Sequence, residues 1–121
     1  MNQFRFLEWK IYKDSQALFS LILKITKKLP KEYRFEIGAQ VVRSALSVVL
    51  NVAEGSGKKS DKELSRYLDI ALGSLYETLA CIDTCRIESL VSPVDFESVK
   101  SKVIEIANQI GGFKKKIDRS L

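Results

Sequence analysis

Residues 93–118 of this chain read PVDFESVKSKVIEIANQIGGFKKKID, and this stretch decides the fold class. Its apolar residues alternate in steps of three and four and form the most regular pattern in the sequence: Phe96, Val99, Val103, Ile106, Ile110, Phe113 and Ile117. An average period of about 3.5 residues gives an α-helix one continuous apolar edge, along which it packs nearly parallel to its neighbours. The stretch therefore predicts a long helix of a helical bundle.

Three further helices are predicted before this one, over residues of about 7–29, 33–54 and 61–90. Pro30 ends the first, because proline cannot continue a helix. Gly55 and Gly57 close the second, since glycine readily takes the left-handed conformation that stops helices. Ser60 and Glu63 form a capping box at the start of the third, where each side chain bonds a backbone amide that the helix leaves free. Each helix begins or ends at a residue suited to that position.

The length of the chain fits one domain. Helices of roughly 20 residues are about 30 Å long, and the short connections between them force consecutive helices to run antiparallel. No segment alternates strictly enough to be a sheet strand. We therefore expect a single domain over residues 1–121 with an all-α fold, an up-down-up-down antiparallel four-helix bundle.

Composition and charge limit the function. The chain has 20 lysines and arginines, 15 aspartates and glutamates and no histidine, so its net charge of +5 is fixed near neutral pH. No apolar run approaches the roughly 18 residues of a membrane span, and the N-terminus does not resemble a signal peptide. We therefore expect a cytoplasmic protein without membrane association, whose basic balance permits a nucleic-acid partner.

Catalytic chemistry lacks its usual side chains. The absence of histidine excludes Ser-His-Asp and Cys-His machinery and the Glu-x-x-His motif of di-iron bundles. Residues 55–60, GSGKKS, fail as a phosphate-binding loop because that motif needs glycine where Val52 stands. Cys81 and Cys85 are interpreted as small buried apolar residues. We expect no enzyme activity, no cofactor and no metal site.

The helix predicted over residues 33–54 is too apolar for a monomer. On a helical wheel at about 100° per residue, its polar side chains fall in a stripe about 100° wide. That stripe contains Gln40, Arg43, Ser44, Ser47, Asn51 and Glu54. Valine, alanine and leucine cover most of the remaining circumference, an arc roughly twice as broad as a bundle interior shelters. We therefore expect this helix also to face another copy of the chain, in a homo-oligomer.

The polar stripe of this helix has three interpretations. Its longer side chains, with one carboxylate from the third helix, form a candidate structural network: Gln40, Arg43, Asn51, Glu54 and Glu77. In such a network Glu77 is a possible acceptor for Arg43, because a buried charge without a partner costs several kcal/mol. The stripe can equally face water, or it can line a ligand pocket. Periodicity alone does not decide among the three.

Positive charge collects at one end of the predicted bundle. The start of the first helix, the loop after the second and the end of the fourth share that end. Nucleic-acid-binding residues are predicted there at Lys58, Lys59, Lys62, Arg66, Lys114, Lys115, Lys116 and Arg119, with Arg5 nearby. Fewer carboxylates lie in these segments, and contacts to phosphate favour affinity over sequence readout. Alternatively, the lysines only keep the protein soluble and suit the helix dipole.

Two blocks of sequence resemble the signature of a known family. Residues 40–55 read QVVRSALSVVLNVAEG, and residues 60–77 contain SDKEL and RYLDIALGSLYE. These blocks resemble the 23S rRNA intervening-sequence protein family of four-helix bundles, and the resemblance covers nearly the whole chain. The chain departs from the family pattern at Val42, where a second basic residue is common. It departs also at Val49, where the family often has a proline, which leaves open the kink expected there.

The resemblance implies a homopentameric ring. It also implies similarity to the accessory variability determinant of diversity-generating retroelements, which partners a reverse transcriptase and binds nucleic acid. The leading hypothesis is therefore a non-catalytic, basic, homopentameric accessory protein that binds RNA or DNA, with a reverse transcriptase as a possible partner. The alternative is a structural or protein-binding oligomer with no nucleic-acid role.

Overall fold

The structure is a computed structural model that describes residues 3–120, so the ends of the predicted domain, residues 1 and 121, lie outside the described range. Within this range a 3-10 helix at Arg5–Glu8 precedes five α-helices, and there is no strand. The helices are α1 (Lys10–Lys27), α2 (Lys31–Arg34), α3 (Glu36–Ser56), α4 (Asp61–Ile87) and α5 (Pro93–Ser120). The all-α prediction is confirmed.

The four long helices form one closed bundle. In the order α1, α3, α4 and α5, each packs against the next, and α5 packs against α1. Lys28 Nζ, just after α1, lies 3.0 Å from a carboxylate oxygen of Asp95 in the first turn of α5. Ser44 in the middle of α3 contacts Thr78 of α4, while Ser47 contacts the earlier residue Ser74. Neighbouring helices therefore run antiparallel. None of the described helices is both long enough and apolar enough to cross a membrane.

The first two helices differ from the prediction at their starts. The sequence predicts the first helix from about residue 7, whereas α1 begins at Lys10, because the backbone of Trp9 is extended, with φ −74° and ψ 133°. The second is predicted from about residue 33. The structure instead has the one-turn helix α2 from Lys31, and α3 starts after Phe35. The segment before the second long helix is thus also helical, but in a separate turn. The predicted stop at Gly55 is wrong: Gly55 lies within α3, and the helix ends at Ser56 before Gly57, whose φ of −88° is not left-handed.

The third helix is shorter than predicted because it ends in a left-handed cap. Its predicted end is about residue 90, but α4 stops at Ile87. Ser89 has a φ of 61°, and the amides of Ser89 and Leu90 donate to the carbonyls of Arg86 and Cys85 at 3.0 and 2.8 Å. Such a cap normally uses glycine, since a side chain is unfavourable at positive φ. A serine at this position gives no recognisable stop signal.

The core follows the apolar alternation of the sequence. Five of the seven apolar residues predicted along α5 are buried: Val99, Val103, Ile106, Ile110 and Ile117. Phe96 and Phe113 are half-buried and pack against the same core. Fully burying a large aliphatic side chain contributes about 1.5–3 kcal/mol. At the start of α4, Ser60 Oγ accepts a hydrogen bond from the Glu63 amide at 3.2 Å, so the predicted serine cap forms.

Candidate nucleic-acid interface

Three segments meet at one end of the bundle. Arg5 Nε donates to the Ser56 carbonyl at 3.1 Å, which ties the start of the chain to the end of α3. Lys114 Nζ donates to Ser65 Oγ at 3.0 Å and lies 2.6 Å from a carboxylate oxygen of Asp69, which joins α5 to α4. We call this end the basic pole and define it by Arg5, Lys58, Lys59, Lys62, Arg66, Lys114, Lys115, Lys116 and Arg119.

A glycine lets α3 and α4 approach closely at the basic pole. A Cβ atom on Gly55 would lie 2.8 Å from Cβ of Tyr67 and 3.1 Å from Cδ1 of Leu64. Apolar carbon atoms normally approach to about 4 Å. The last turn of α3 therefore packs directly on the first turns of α4, and this contact fixes the position of Tyr67.

Tyr67 carries two cations over its ring. Lys58 Nζ and the guanidinium carbon of Arg66 each lie 5.0 Å from the ring centroid. The ring is half-buried, and a cation in this position is held by the negative face of the aromatic system. The charge pattern of the sequence does not single out Tyr67. The signal was present, since Tyr67 directly follows Arg66 and comes one turn after Glu63.

A second aromatic residue lies at the basic pole. Trp9 is the only tryptophan in the chain. The guanidinium carbon of Arg5 lies 5.1 Å from the centroid of its ring, and the ring of Phe113 packs against it at 5.0 Å. Arg5 therefore contacts both Trp9 and the backbone of Ser56. The basic pole combines cations with half-buried aromatic rings.

Much of the charge at the basic pole is not neutralised. Within residues 3–120, four exposed cations of the pole form neither an ion pair with a carboxylate nor a contact with an aromatic ring: Lys59, Lys62, Lys115 and Arg119. Lys114 differs from them, because Asp69 neutralises it and leaves it less available to a phosphate. The exposed cations can donate hydrogen bonds to phosphate oxygens without first breaking an ion pair.

The polar stripe of α3 packs against α4. Ser44 and Thr78 share a hydrogen bond of 2.8 Å between their hydroxyls, and both side chains are buried. The hydroxyls of Ser47 and Ser74 are also 2.8 Å apart, and Asn51 Nδ2 donates to the Ser47 carbonyl at 2.8 Å. The middle of the stripe is thus a polar seam between two helices, with each buried hydroxyl satisfied.

The longer side chains of the predicted network lie at the edges of this seam. Gln40, Arg43, Glu54 and Glu77 are exposed, while Asn51 is half-buried. The suggested pairing of Arg43 with Glu77 is wrong, because Gln40 Nε2 donates to the Glu77 carboxylate at 2.9 Å instead. The wheel puts Gln40 closer to α4 than Arg43. The network is therefore smaller than predicted and consists mainly of hydroxyl groups.

The outward face of α3 is apolar. Phe35, just before α3, is 85% exposed, Leu50 is 55% exposed and Leu46 is 37% exposed. Together with exposed Ala39 and half-buried Val42, these residues recur every three or four positions and form what we call the outer stripe of α3. The stripe lies opposite the buried face of the helix. The apolar excess inferred from the sequence is thus exposed to solvent in the single chain.

A groove continues the outer stripe at the end opposite the basic pole. It has a volume of about 560 Å³ and lies between the end of α1, α2 and the start of α3. Its apolar part is formed by Phe35, Gly38, Ala39 and Val42, and Lys27, Lys31 and Arg34 line its polar part. The apolar residues of this groove therefore lie at the start of α3, away from the cations of the basic pole.

Residues 8–112 match the family model of the 23S rRNA-intervening sequence protein. The chain belongs to the 23S rRNA-intervening sequence protein family. A crystal structure of a Bacteroides thetaiotaomicron protein of unknown function, from the S23 ribosomal protein family, has a TM-score of 0.76. It is 22% identical to this chain and covers 83% of this chain and 94% of its own length, which shows a shared fold. No curated protein matches the chain.

In this 23S rRNA-intervening sequence family member, Gly55 and Val49 belong to the sequence block 40–55, which lies within α3. Gly55 permits the close contact with α4, and Val49 is 7% exposed in the middle of α3. The helix runs unbroken from Glu36 to Ser56, so no helix end interrupts it where the family often has proline. The outer stripe of this family member is therefore carried by one continuous helix.

The two cysteines of this family member are neutral thiols. Both are free, with Cys85 buried and Cys81 half-buried. Burial, together with the neighbouring Cys85, raises the pKa of Cys81 to about 11, and burial also raises the pKa of Cys85. Because the thiolate is the reactive form, neither is an activated nucleophile at neutral pH. Within the described part of the chain, no group of three or more histidine, cysteine or acidic side chains could hold a metal ion.

Proposed function

We propose that this protein is a non-catalytic accessory protein that binds RNA through the basic pole. The supporting observation is the set of exposed cations that form neither an ion pair nor a contact with an aromatic ring there, Lys59, Lys62, Lys115 and Arg119, among residues 3–120. Lys58, Arg66, Lys114 and Lys116 complete the proposed site. The family, named for an intervening sequence in 23S ribosomal RNA, supports RNA as the nucleic acid. The cytoplasm, where ribosomal RNA is found, is the proposed compartment.

The contacts that the basic pole offers suit a phosphate backbone. Lysine and arginine at phosphates release counterions, and the affinity gained this way depends strongly on salt and little on sequence. The cations come from the loop before α4, the first turns of α4 and the end of α5, so they cover a surface rather than a pocket. We therefore propose binding to a structured or flexible RNA backbone instead of recognition of one short motif.

We also propose that copies of the chain associate through the outer stripe of α3. Phe35, Leu46 and Leu50 are exposed apolar side chains, and removing them from water is favourable by about 25 cal/mol per Å². The pentameric ring is the arrangement that the sequence resemblance implies. Association of several copies multiplies the unpaired cations that one RNA can contact, which raises the affinity beyond that of one subunit.

A reverse transcriptase is the proposed protein partner, and this part rests on the resemblance to the accessory variability determinant. The exposed carboxylates of Glu36 and Glu77 flank the outer stripe and the polar seam. These offer a surface for a basic partner that is separate from the basic pole. Copurification with a reverse transcriptase in the presence of nuclease tests this contact apart from RNA binding.

Charge reversal at the basic pole tests RNA binding. Lys59→Glu/Lys62→Glu changes two exposed side chains that form no ion pair, so the fold should persist. Fluorescence anisotropy with a labelled RNA that holds both a stem and a loop should show weaker binding. The slope of log affinity against log salt should fall by about 1.4, at roughly 0.7 per lost phosphate contact. The matched control, Lys24→Glu/Lys100→Glu, changes the net charge equally in the other half of the bundle.

The outcomes separate the proposal from its alternative. An equal loss of RNA affinity in both double variants would mean that binding depends on the net charge of the protein and not on the basic pole. Absence of RNA binding by the wild-type chain at low salt, with association intact, favours the second candidate, a structural or protein-binding oligomer. The exposed apolar side chains of the outer stripe favour that candidate independently of RNA.

A further inference from the structure

Two aromatic rings lie at the basic pole, where α3 ends. Tyr67 packs against Gly55, as the close approach at that glycine requires. Arg5 bonds the Ser56 carbonyl and lies over Trp9. Both rings are half-buried. Neighbouring residues of α4, Leu64 and Leu68, fill the core at this level, so the cations over the rings are not needed to complete it.

The geometry points to unpaired, single-stranded RNA as the ligand of the basic pole, with bases that stack on Tyr67 and Trp9. This inference rests on the proposed RNA binding. In a duplex the faces of the bases are already stacked on one another, so a protein binds duplex RNA through contacts to the RNA backbone. An unpaired base has a free face, and aromatic rings among cations are how proteins without sequence preference hold single strands.

The cations over the rings are compatible with such a ligand. Lys58 and Arg66 reach Tyr67 by long flexible side chains, at 5.0 Å from the ring centroid. Cation–π contacts at exposed sites are weak, so the cations can move to the phosphates on either side of a base that takes the ring face. The same side chains then supply both the backbone contact and access to the ring.

The arrangement is particular to this end of the bundle. Tyr33 lies at the opposite end between Lys31 and Arg34, and it is 42% exposed. No cation lies over its ring among the described residues. One other cation–π contact, Arg86 over Phe96, involves an arginine that an aspartate already neutralises at 2.6 Å. Tyr33 is therefore a matched control for Tyr67.

Single-strand and duplex RNA of equal length test the inference on the full chain. Tyr67→Leu removes the aromatic face but retains apolar volume, and it should weaken single-strand binding about 5- to 100-fold. Binding to the duplex should change less than about twofold, because phosphate contacts remain. Tyr67→Phe keeps the ring and should bind like the wild type, as should Tyr33→Leu. Circular dichroism and melting midpoints establish that each variant folds.

Trp9 provides a second measurement that needs no substitution at Tyr67. As the only tryptophan, it reports directly on the basic pole. Saturating single-strand RNA should quench its fluorescence, whereas the duplex should not. The stacking inference is overturned if both RNAs bind with equal affinity and without quenching, or if Tyr67→Leu binds single strands like Tyr33→Leu. Either result leaves the proposed RNA binding intact. If neither RNA binds at low salt, the proposed function itself fails.

Discussion

Replacing Gly55 with alanine should destabilise the protein by about 1–2 kcal/mol, because the added methyl group has no room. The new Cβ would lie 2.8 Å from Cβ of Tyr67 and 3.1 Å from Cδ1 of Leu64. Overpacking of this kind costs about 1–3 kcal/mol. Alanine recovers at most about 1 kcal/mol in helix propensity, and less here because Gly55 is the penultimate residue of α3. Its φ is not positive, so backbone strain adds nothing.

Thermal and urea unfolding at one protein concentration measure this effect, since the proposed association would make the midpoint depend on concentration. The melting midpoint should fall by about 3–8 °C. Gly73→Ala is the matched control, because a Cβ there meets nothing within 4 Å. That substitution should stabilise the protein by about 0.4–1 kcal/mol. A Gly55→Ala protein as stable as Gly73→Ala would refute the close approach of α3 and α4.

Three further substitutions test other parts of the structure. Ser89→Gly should stabilise the protein by about 1 kcal/mol in urea unfolding, because glycine takes a φ of 61° without strain; no gain would contradict the left-handed cap. Leu50→Lys should reduce the particle mass in sedimentation velocity, whereas Ile104→Lys, 49% exposed on α5, should not; a monomeric wild type would contradict association. Burial pushes the pKa of Asp14 up, but hydrogen bonds from Lys10 and other neighbours outweigh this and lower it below 3.8. Its contribution to stability is therefore present above about pH 4 and lost below it. Asp14→Asn should flatten that acid limb in urea unfolding, and an unchanged limb would contradict the assignment.

The fold was predictable from the sequence wherever one physical signal dominated. The alternation along α5 fixed which residues are buried, and the serine cap at Ser60 fixed the start of α4. The end of α4 was not predictable, because the cap depends on a serine in the left-handed conformation, which no glycine or proline marks in the sequence. The start of α1 was missed for a similar reason, since the extended backbone at Trp9 has no proline or glycine to mark it.

The cations of the candidate site were predictable from the sequence, but its aromatic residues were not. Lysines at helix ends stand out in a sequence, and an antiparallel bundle groups them by topology alone. Tyr67 and Trp9 are far apart in the chain, and each alone is typical of a core residue. The antiparallel order places the starts of α1 and α4 at one end of the bundle, but only the structure shows that cations lie over both rings there. The wheel puts Gln40 nearer to α4 than Arg43, but this identifies the partner of Glu77 only once the side of α3 that meets α4 is known.

The way copies associate determines whether their basic poles can act together. The outer stripe extends from Phe35 to Leu50, so copies that bury it lie side by side along much of α3. A cyclic ring about an axis parallel to the bundles puts every basic pole on one rim. A two-fold axis perpendicular to the bundles puts the poles at opposite ends instead. Such a ring lets one RNA bridge neighbouring basic poles. Once the RNA is long enough to span the gap, the second pole meets an RNA segment that the first pole already holds nearby, so the effective concentration of RNA at the second pole is high. Affinity that increases steeply with single-strand length is therefore expected of the ring, whereas a dimer about the perpendicular two-fold axis gives affinity that levels off at the length one pole covers.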